Sequence, residues 1–127
     1  MKRVVADASA LAALIFDEPE ADVVEPQLQG AQVFAPTILQ FELANVAWKK
    51  IRRRPHEGVT VLSQLRSAIG DGSLIKWADV NMTDVVLIAQ STGLTPYDAS
   101  YLWLAGSLGA DLVTLDKRLA AASGTDI

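Results

Sequence analysis

The sequence predicts an α/β fold, a three-layer α/β/α sandwich with a short, mainly parallel central sheet. Short apolar and β-branched runs alternate along the chain with helical segments, which is typical of parallel strands joined by helices. Glycine or proline follows several of these segments, where helices are expected to end. The chain has 127 residues, enough for one domain with a buried core but not for two, so we expect residues 1–127 to form a single domain.

The chain begins with a strand that leads directly into a helix. Residues 2–6 (KRVVA) form a short strand-like run and are followed at once by Asp7. Ser9 occupies the position of an N-cap before the apolar helical segment 10–16, because a serine hydroxyl accepts a hydrogen bond from the first turn of a helix. The expected unit is therefore strand, acid, helix.

A second helix and a second strand are expected before the longest helix. The helical segment 20–29 contains Pro26, which we expect to bend it, and a glycine follows its end. A short strand is predicted near residues 32–35. The long helix then runs from about residue 37 to residue 53 and ends before Pro55, because a proline disfavours helical backbone in the residue that precedes it.

Two further helices enclose the third strand. Residues 57–69 form a helix closed by a glycine, and residues 73–77 form the strand. The next helix has two candidate caps, Asn81 and Thr83, since either side chain can accept a hydrogen bond from the first turn. Gly93 is its expected end.

The last part of the chain repeats the pattern of helix, strand, acid and helix. Proline is favoured in the first turn of a helix, so we expect a helix from Pro96 to residue 108. The fourth strand is predicted at residues 112–115, followed by Asp116 and a short helix over residues 117–122. Residues 125–127 are expected to form a final edge strand.

Composition limits the kinds of site that the chain can build. It has no cysteine, which excludes disulfides and thiolate metal sites, leaves oxygen to hold any metal, and suits a reducing cytoplasm. The net charge of −4 and the pI of about 4.8 are unusual for a nucleic-acid binder. Two divalent cations held by carboxylates would offset this charge. No segment approaches the roughly 18 apolar residues of a membrane span, so we expect a soluble protein.

Three aspartates stand where a strand ends or a helix begins. Asp7 ends the first strand and Asp116 follows the fourth, while Asp98 lies in the first turn of its helix, where the helix dipole favours an anion. In open parallel sheets, sites form beyond the carboxyl ends of the strands. We therefore expect these three carboxylates to face one crevice, although each of them, taken singly, is more often a simple helix cap.

Glu42 differs from the three aspartates in its predicted environment. It lies in the middle of the long predicted helix among apolar side chains, where a carboxylate requires a partner. Four converging carboxylates repel one another unless a cation neutralises them. Hard divalent ions such as Mg²⁺ and Mn²⁺ prefer carboxylate oxygens, and one or two such ions can activate water for phosphodiester hydrolysis. No histidine or serine nucleophile is then needed.

Three segments of the chain resemble a known family of toxins. They are, in order, VVADASALAALIFDEPE, TILQFELANVAWK and LTPYDASYLWLAGSLGADLVTLDKRL, and they resemble the PIN-domain toxins of VapBC toxin–antitoxin systems. The resemblance spans nearly the whole chain. The family carries metal-binding acids at positions that match Asp7, Glu42, Asp98 and Asp116, and all four are present here.

The resemblance implies a PIN-like fold and a Mg²⁺- or Mn²⁺-dependent endoribonuclease that cleaves structured RNA such as tRNA or rRNA and thereby stops translation. It also implies a homodimer and a cognate VapB-like antitoxin that covers the crevice. Similar proteins carry hydroxyls close to the acids, at positions like Ser9 and Thr114. The simpler interpretations are an N-cap for Ser9 and strand propensity for Thr114.

Basic residues are candidates for contact with RNA phosphates. Lys117 and Arg118 directly follow Asp116, and Arg52 and Arg53 belong to a basic cluster at the end of the long helix. Cations are favoured at a helix C-terminus in any case, so the cluster is equally typical of a solvated helix end. The cluster comprises Lys49, Lys50, Arg52, Arg53 and Arg54.

The aromatic residues and the single histidine have simpler explanations than catalysis. His56 follows a proline in a predicted turn and is expected to be exposed rather than to act as a general base. The three tryptophans, Trp48, Trp77 and Trp103, are expected to serve in core or dimer packing, although tryptophan also stacks on bases.

Three other classes of protein share parts of this pattern. A receiver-like signalling domain needs adjacent acids after its first strand and a lysine after its last strand, and Asp7 stands alone. A dinucleotide-binding domain needs a G-x-G-x-x-G motif after a strand, which is absent. A catalytically silent PIN-like module that binds RNA or a protein stays possible, and the four intact acids argue against it.

Overall fold

A parallel four-stranded sheet forms the middle layer of the computed structural model, which describes residues 1–124. The strands are β1 (Lys2–Ala6), β2 (Ala31–Pro36), β3 (Ile75–Ala78) and β4 (Asp111–Val113). Their order across the sheet is β3-β2-β1-β4, and every neighbouring pair is parallel. All four carboxyl ends therefore meet at one edge of the sheet, as the sequence predicted.

Seven helices flank this sheet in two groups. They are α1 (Ala8–Ile15), α2 (Ala21–Leu28), α3 (Ile38–Arg53), α4 (Gly58–Ile69), α5 (Met82–Thr92), α6 (Pro96–Leu108) and α7 (Lys117–Ser123). A single 3₁₀ turn, Pro55–Glu57, joins α3 to α4. Helices α1 to α4 pack against one another, and α6 packs against α5, α7 and the central strands. The predicted three-layer α/β/α architecture is confirmed.

The core explains why the central strand is apolar on both of its faces. Val4, Val5 and Ala6 follow one another in β1, and all three are fully buried. Successive strand residues point to opposite faces, so both faces of the sheet are covered, as expected for parallel strands. This burial fixes the end of β1, and with it the position of Asp7.

The first helix has a different cap from the one predicted. Asp7, not Ser9, is the N-cap of α1: its backbone is extended (φ −93°, ψ 179°), and its Oδ1 accepts a hydrogen bond of 3.1 Å from the N–H of Ala10. Ser9 already lies inside the first turn. Because the chain turns directly at the end of β1, the aspartate reaches the free N–H group first, and the serine hydroxyl is left for other contacts.

Two strands differ from their predicted bounds because hydroxyl groups form turns beside them. Strand β4 ends at Val113 because Oγ1 of Thr114 accepts the N–H of Asp116 at 3.0 Å and turns the chain. Strand β3 begins at Ile75 because Oγ of Ser73 accepts the N–H of Ile75 at 3.1 Å. A prediction from strand propensity alone extends both strands into these turns.

The helix boundaries are close to the predicted ones. Asn81, rather than Thr83, caps α5, with its Oδ1 accepting the N–H of Asp84 at 3.0 Å. Helix α2 continues for two residues past Pro26. The edge strand predicted at residues 125–127 lies outside the described residues. Within residues 1–124, no helix is both long enough and apolar enough to cross a membrane.

Candidate functional site

The four acids lie at or near the starts of four different helices. Asp7 caps α1 at the end of β1, and Asp116 caps α7 after β4. Asp98 lies in the first turn of α6, and Glu42 lies in the second turn of α3. Each begins or nearly begins a helix on the carboxyl edge of the sheet. The local placement of the three aspartates is the one that the sequence predicted.

Asp7 is held by hydrogen bonds on both of its carboxylate oxygens. Its side chain is buried, with the residue 5% exposed. Oδ1 accepts from the hydroxyl of Ser9 at 2.7 Å as well as from the N–H of Ala10, and Oδ2 accepts from the hydroxyl of Thr114 at 2.6 Å. A buried carboxylate with three donors is fixed in orientation.

The two hydroxyls around Asp7 also bind the loop that carries Asp116. Oγ of Ser9 accepts the N–H of Leu115 at 2.9 Å, and Oγ1 of Thr114 accepts the N–H of Asp116 at 3.0 Å. Each hydroxyl has one proton, and each uses it to donate a hydrogen bond to Asp7. The 3.3 Å approach of the two hydroxyl oxygens to each other is therefore not a hydrogen bond. Ser9 and Thr114 therefore connect two of the predicted acids.

Glu42 has one strong partner on the opposite helix layer. The hydroxyl of Tyr101 in α6 donates a hydrogen bond of 2.5 Å to Oε1 of Glu42, across 59 residues of sequence. Glu42 is half-buried, whereas Tyr101 is almost completely buried. The partner that a carboxylate on an apolar helix requires is therefore this tyrosine.

Asp116 and Asp98 differ in what their carboxylates do. Oδ1 of Asp116 accepts the N–H groups of Arg118 and Leu119 at 2.9 and 3.0 Å, so Asp116 is a true helix cap. The cap of α6 is Thr95, whose hydroxyl accepts the N–H of Asp98. No donor in residues 1–124 bonds the carboxylate of Asp98. Capping therefore accounts for Asp7 and Asp116 but leaves Asp98 and Glu42 unexplained.

Burial and mutual repulsion raise the pKa of three of these acids. The pKa of Asp7 is raised mainly by burial and also by the charge of Asp116, although its three hydrogen bonds act in the opposite direction. Burial and the charges of Asp98 and Asp7 raise the pKa of Glu42. Burial and the charges of Asp116 and Asp7 raise the pKa of Asp98, and Arg118 lowers it. The four acids therefore form one electrostatically coupled set.

The set of four carboxylates is chemically suited to a hard divalent cation. It offers carboxylate oxygens with an excess of negative charge, which is the environment that Mg²⁺ and Mn²⁺ prefer. As the side chains stand, no three acidic or histidine residues within residues 1–124 are close enough together to hold one ion. Carboxylates without a cation repel one another, so a bound ion would have to draw them closer.

The predicted basic residues lie in two separate places. Lys117 and Arg118 are exposed at the start of α7, next to Asp116. Arg52 and Arg53 lie about 16 Å along α3 from Glu42. Arg52 stacks on the ring of Trp48 at 4.8 Å. Only the first pair adjoins the acids.

Two further members of the basic cluster, Lys50 and Arg54, are engaged in surface contacts. Lys50 forms a 2.9 Å ion pair with Glu18 and lies over the ring of Phe16. Arg54 forms a 3.3 Å ion pair with Glu57. The cluster at the end of α3 is therefore partly neutralised.

The histidine is exposed and two of the tryptophans serve in packing, as the sequence predicted. The side chain of His56 is 78% exposed and lies away from the acids in the turn before α4. Trp77 and Trp103 pack against the core. The indole N–H of Trp103 donates to Asp84 at 3.2 Å. Trp48 is 53% exposed.

Sequence reasoning missed Tyr101, the residue with the closest contact to any of the four acids from across the fold. Its contact with Glu42 joins two helices that are distant in sequence, so no local pattern reveals it. One feature of the sequence did point to Tyr101. Tyr101 follows Asp98 by three residues, which places both on one side of a helix, and its hydroxyl interrupts an otherwise apolar stretch.

Comparisons with known proteins agree on one family. The family model described as "PIN domain" matches residues 4–124. Among curated proteins, the chain is 34% identical to Ribonuclease VapC3 of Pyrobaculum aerophilum, covering 93% of this chain and 92% of the relative. It is 31% identical to Ribonuclease VapC12 of Mycobacterium tuberculosis, covering 95% and 92%.

A solved structure is similar over nearly the whole fold. The crystal structure of PAE2754 from Pyrobaculum aerophilum matches with a TM-score of 0.76 and 28% identity, over 98% of this chain and 90% of that one. The full-length match to the family model and the identity above 30% to relatives of the same length lead to one conclusion: this chain belongs to the PIN-domain family, among the proteins named VapC.

Proposed function

We propose that this chain is an endoribonuclease toxin in which Asp7, Glu42, Asp98 and Asp116 bind one or two Mg²⁺ or Mn²⁺ ions. The observation that carries the proposal is the electrostatic coupling of the four carboxylates at one edge of the sheet. The charge of Arg118 lowers the pKa of Asp98, which places this arginine close to the acids. The relatives named as ribonucleases support the same activity.

The residues around the acids have definable tasks in phosphodiester hydrolysis. When bound, the ions supply positive charge that lowers the pKa of a water and stabilises the leaving oxygen. Ser9 and Thr114 hold the carboxylate of Asp7 and fix the loop that begins at Asp116. Attack of water on phosphorus, with departure of the 3′ oxygen of the preceding ribose, leaves 5′-phosphate and 3′-hydroxyl ends.

Binding of the RNA backbone is assigned to the basic residues nearest the acids. Lys117 and Arg118 are exposed beside Asp116, where the phosphate next to the cleaved bond would lie. Arg52 and Arg53, further along α3, would contact a more distant part of a folded substrate. We propose structured RNA such as tRNA or rRNA as the substrate, so that cleavage stops translation in the cytoplasm.

A cognate VapB-like antitoxin is the proposed protein partner, and an apolar groove supports this. The groove has a volume of about 600 Å³ and lies between α1, α2, α4 and the starts of two strands; its lining includes Leu11, Leu14, Ile15, Leu28 and Ile75. Helix α1 joins this groove to Asp7, because its lining residues Leu11 and Ile15 lie about 6 and 12 Å from Asp7 along the helix axis. A partner segment seated in the groove can therefore extend over the crevice and block it.

A homodimer is also proposed, and exposed apolar side chains on α3 and α5 support it. Phe41 is 73% exposed, Met82 is 59% exposed and Val86 is 48% exposed. Phe41 and Met82 line one apolar cavity of about 250 Å³ together with Pro36 and Val80. Apolar surface of this kind is typical of protein interfaces.

Cleavage of total cellular RNA by the purified, antitoxin-free protein tests the proposal. The reaction is run with Mg²⁺, with Mn²⁺ and with chelator, using wild type, Asp98→Asn and Asp79→Asn. Asp79 is a matched control, because it also follows a strand at the carboxyl edge but is exposed beside the outer strand β3. We expect metal-dependent cleavage that Asp98→Asn reduces about 100-fold or more and Asp79→Asn leaves unchanged.

Two results of this experiment would contradict the proposal. If the folded protein cleaves no RNA with either metal, the catalytically silent module that binds RNA or a protein becomes the better description. If chelator leaves cleavage intact, the activity does not depend on the metal and the roles proposed for the four acids are wrong.

A further inference from the structure

The hydroxyl of Tyr101 is the one buried polar group of α6 that points at a predicted metal ligand. Tyr101 is 1% exposed, and its hydroxyl donates to Oε1 of Glu42 at 2.5 Å. A buried tyrosine hydroxyl needs a hydrogen-bond partner, because leaving it without one costs free energy. Here the partner is a carboxylate, and hydrogen bonds to charged groups are stronger than those between neutral groups.

This contact divides the two oxygens of Glu42 between two tasks. Oε1 accepts the hydrogen bond from the tyrosine hydroxyl, and no donor within residues 1–124 bonds Oε2. A protonated phenol can only donate to a carboxylate, so it favours the charged form of Glu42 and fixes the plane of its carboxyl group. The second oxygen is left available for a cation.

The same contact joins the two helix layers at the site. Glu42 belongs to α3, in the group of helices that packs with α1 and α4, whereas Tyr101 belongs to α6, which packs with α5 and α7. Asp98 lies three residues before Tyr101 on the same side of α6. One helical turn of α6 therefore carries one predicted ligand and the group that orients another.

We propose that Tyr101 is a positioning residue of the metal centre, which holds Glu42 in the orientation in which it binds a divalent cation. The inference rests on the proposed function, since it assumes that Glu42 is a ligand. A merely structural role predicts something different. In that case the hydrogen bond between the buried hydroxyl and the half-buried carboxylate only stabilises the fold, and its loss leaves metal affinity unchanged.

Metal binding by the substrate-free protein separates these roles. Mn²⁺ affinity is measured by isothermal titration calorimetry for wild type, Tyr101→Phe and Tyr97→Phe, with thermal unfolding to verify the fold. Tyr97 is the other tyrosine of the chain and lies in the same helix, 60% exposed, so Tyr97→Phe is a matched control. Loss of a hydrogen bond to a metal ligand typically weakens affinity about 10- to 100-fold. We expect that loss for Tyr101→Phe and none for Tyr97→Phe.

A double-mutant cycle with Glu42→Gln tests whether the effect passes through Glu42. With Glu42 already replaced, Tyr101→Phe is expected to cause no further loss of Mn²⁺ affinity. If Tyr101→Phe, correctly folded, binds Mn²⁺ as tightly as wild type while Asp98→Asn binds it more weakly, the positioning role is wrong and the metal centre stands. If neither Asp98→Asn nor Glu42→Gln weakens binding, the proposed function itself is wrong.

Discussion

Oγ1 of Thr114 donates a 2.6 Å hydrogen bond to Oδ2 of Asp7, although the two residues are 107 positions apart in the sequence. The same oxygen accepts the N–H of Asp116. One hydroxyl therefore connects the carboxylate at the end of β1 to the backbone of the residue that caps α7. Together with the hydroxyl of Ser9, which bonds both Asp7 and the N–H of Leu115, it fixes Asp116 relative to Asp7.

Thr114→Val is expected to weaken both the fold and the site. Valine has nearly the same shape, but it removes a donor to the buried carboxylate of Asp7 and the acceptor for the N–H of Asp116. Urea unfolding at neutral pH should show a loss of about 1–3 kcal/mol in the free energy of unfolding. The rate of RNA cleavage should fall by about 10-fold or more.

Thr83→Val is the control for that substitution. Thr83 is exposed in the first turn of α5 and does not cap it. Thr83→Val should change neither the free energy of unfolding nor the rate of RNA cleavage measurably. Equal stability and activity of Thr114→Val and wild type would mean that the hydroxyl does not support the site.

The stability of the metal-free protein should fall as the pH rises above the ordinary pKa range of carboxyl groups. Burial raises the pKa of Asp7, Glu42 and Asp98 above their ordinary values of 3.8 and 4.5. Between those values and the higher pKa values of the folded state, the folded protein holds protons that the unfolded chain has released. The free energy of unfolding therefore decreases with rising pH across this window.

Asp7→Asn tests this sign directly. In thermal unfolding with chelator, the stability of Asp7→Asn relative to wild type should improve as the pH rises from about 4 to about 8, because the amide never becomes charged. Mg²⁺ should stabilise the wild type at pH 8 more than at pH 4. A relative stability of Asp7→Asn that worsens with rising pH would contradict the raised pKa of Asp7.

Arg118→Ala should reduce the salt dependence of RNA binding. Each phosphate contact that is lost lowers the slope of log Kd against log salt by about one unit or slightly less. Filter binding is measured with an Asp98→Asn background so that the RNA is not cleaved. Arg66→Ala is the matched control, because Arg66 is exposed in the last turn of α4. An unchanged slope for Arg118→Ala would exclude it as a phosphate contact.

Met82→Glu should disrupt the proposed homodimer. A charge in the exposed apolar surface of α3 and α5 has to be desolvated when two copies meet. Light scattering after size-exclusion chromatography should give a dimer for wild type and a monomer for Met82→Glu. Val59→Glu, at an 86% exposed position on α4, should stay dimeric. A wild-type monomer would contradict the proposed homodimer.

The positions of the three aspartates could be predicted because local signals define them. β-branched residues lead into Asp7, a proline opens the helix of Asp98, and a glycine ends that helix before the last strand. These patterns act over a few residues, so the backbone follows them. The parallel sheet then brings the strand ends to one edge without any further information.

Contacts across the fold could not be predicted in the same way. Ser9 and Asp7 both qualify as caps, and only the sharp turn after β1 gives that role to Asp7. Thr114 has strand propensity, yet its hydroxyl binds Asp7, and β4 ends at Val113, two residues before the predicted end. The bond between Tyr101 and Glu42 depends on how α3 and α6 meet, which no local pattern contains.

The pairing of β1 with β4 joins the beginning of the chain to its end, and this has a consequence for synthesis. The register aligns Val4 with Asp111 and Ala6 with Val113. Contacts so distant in sequence form slowly and only after both partners have left the ribosome. Asp7 emerges before Thr114 and Asp116, so the edge of the sheet that carries the four carboxylates is completed last during synthesis.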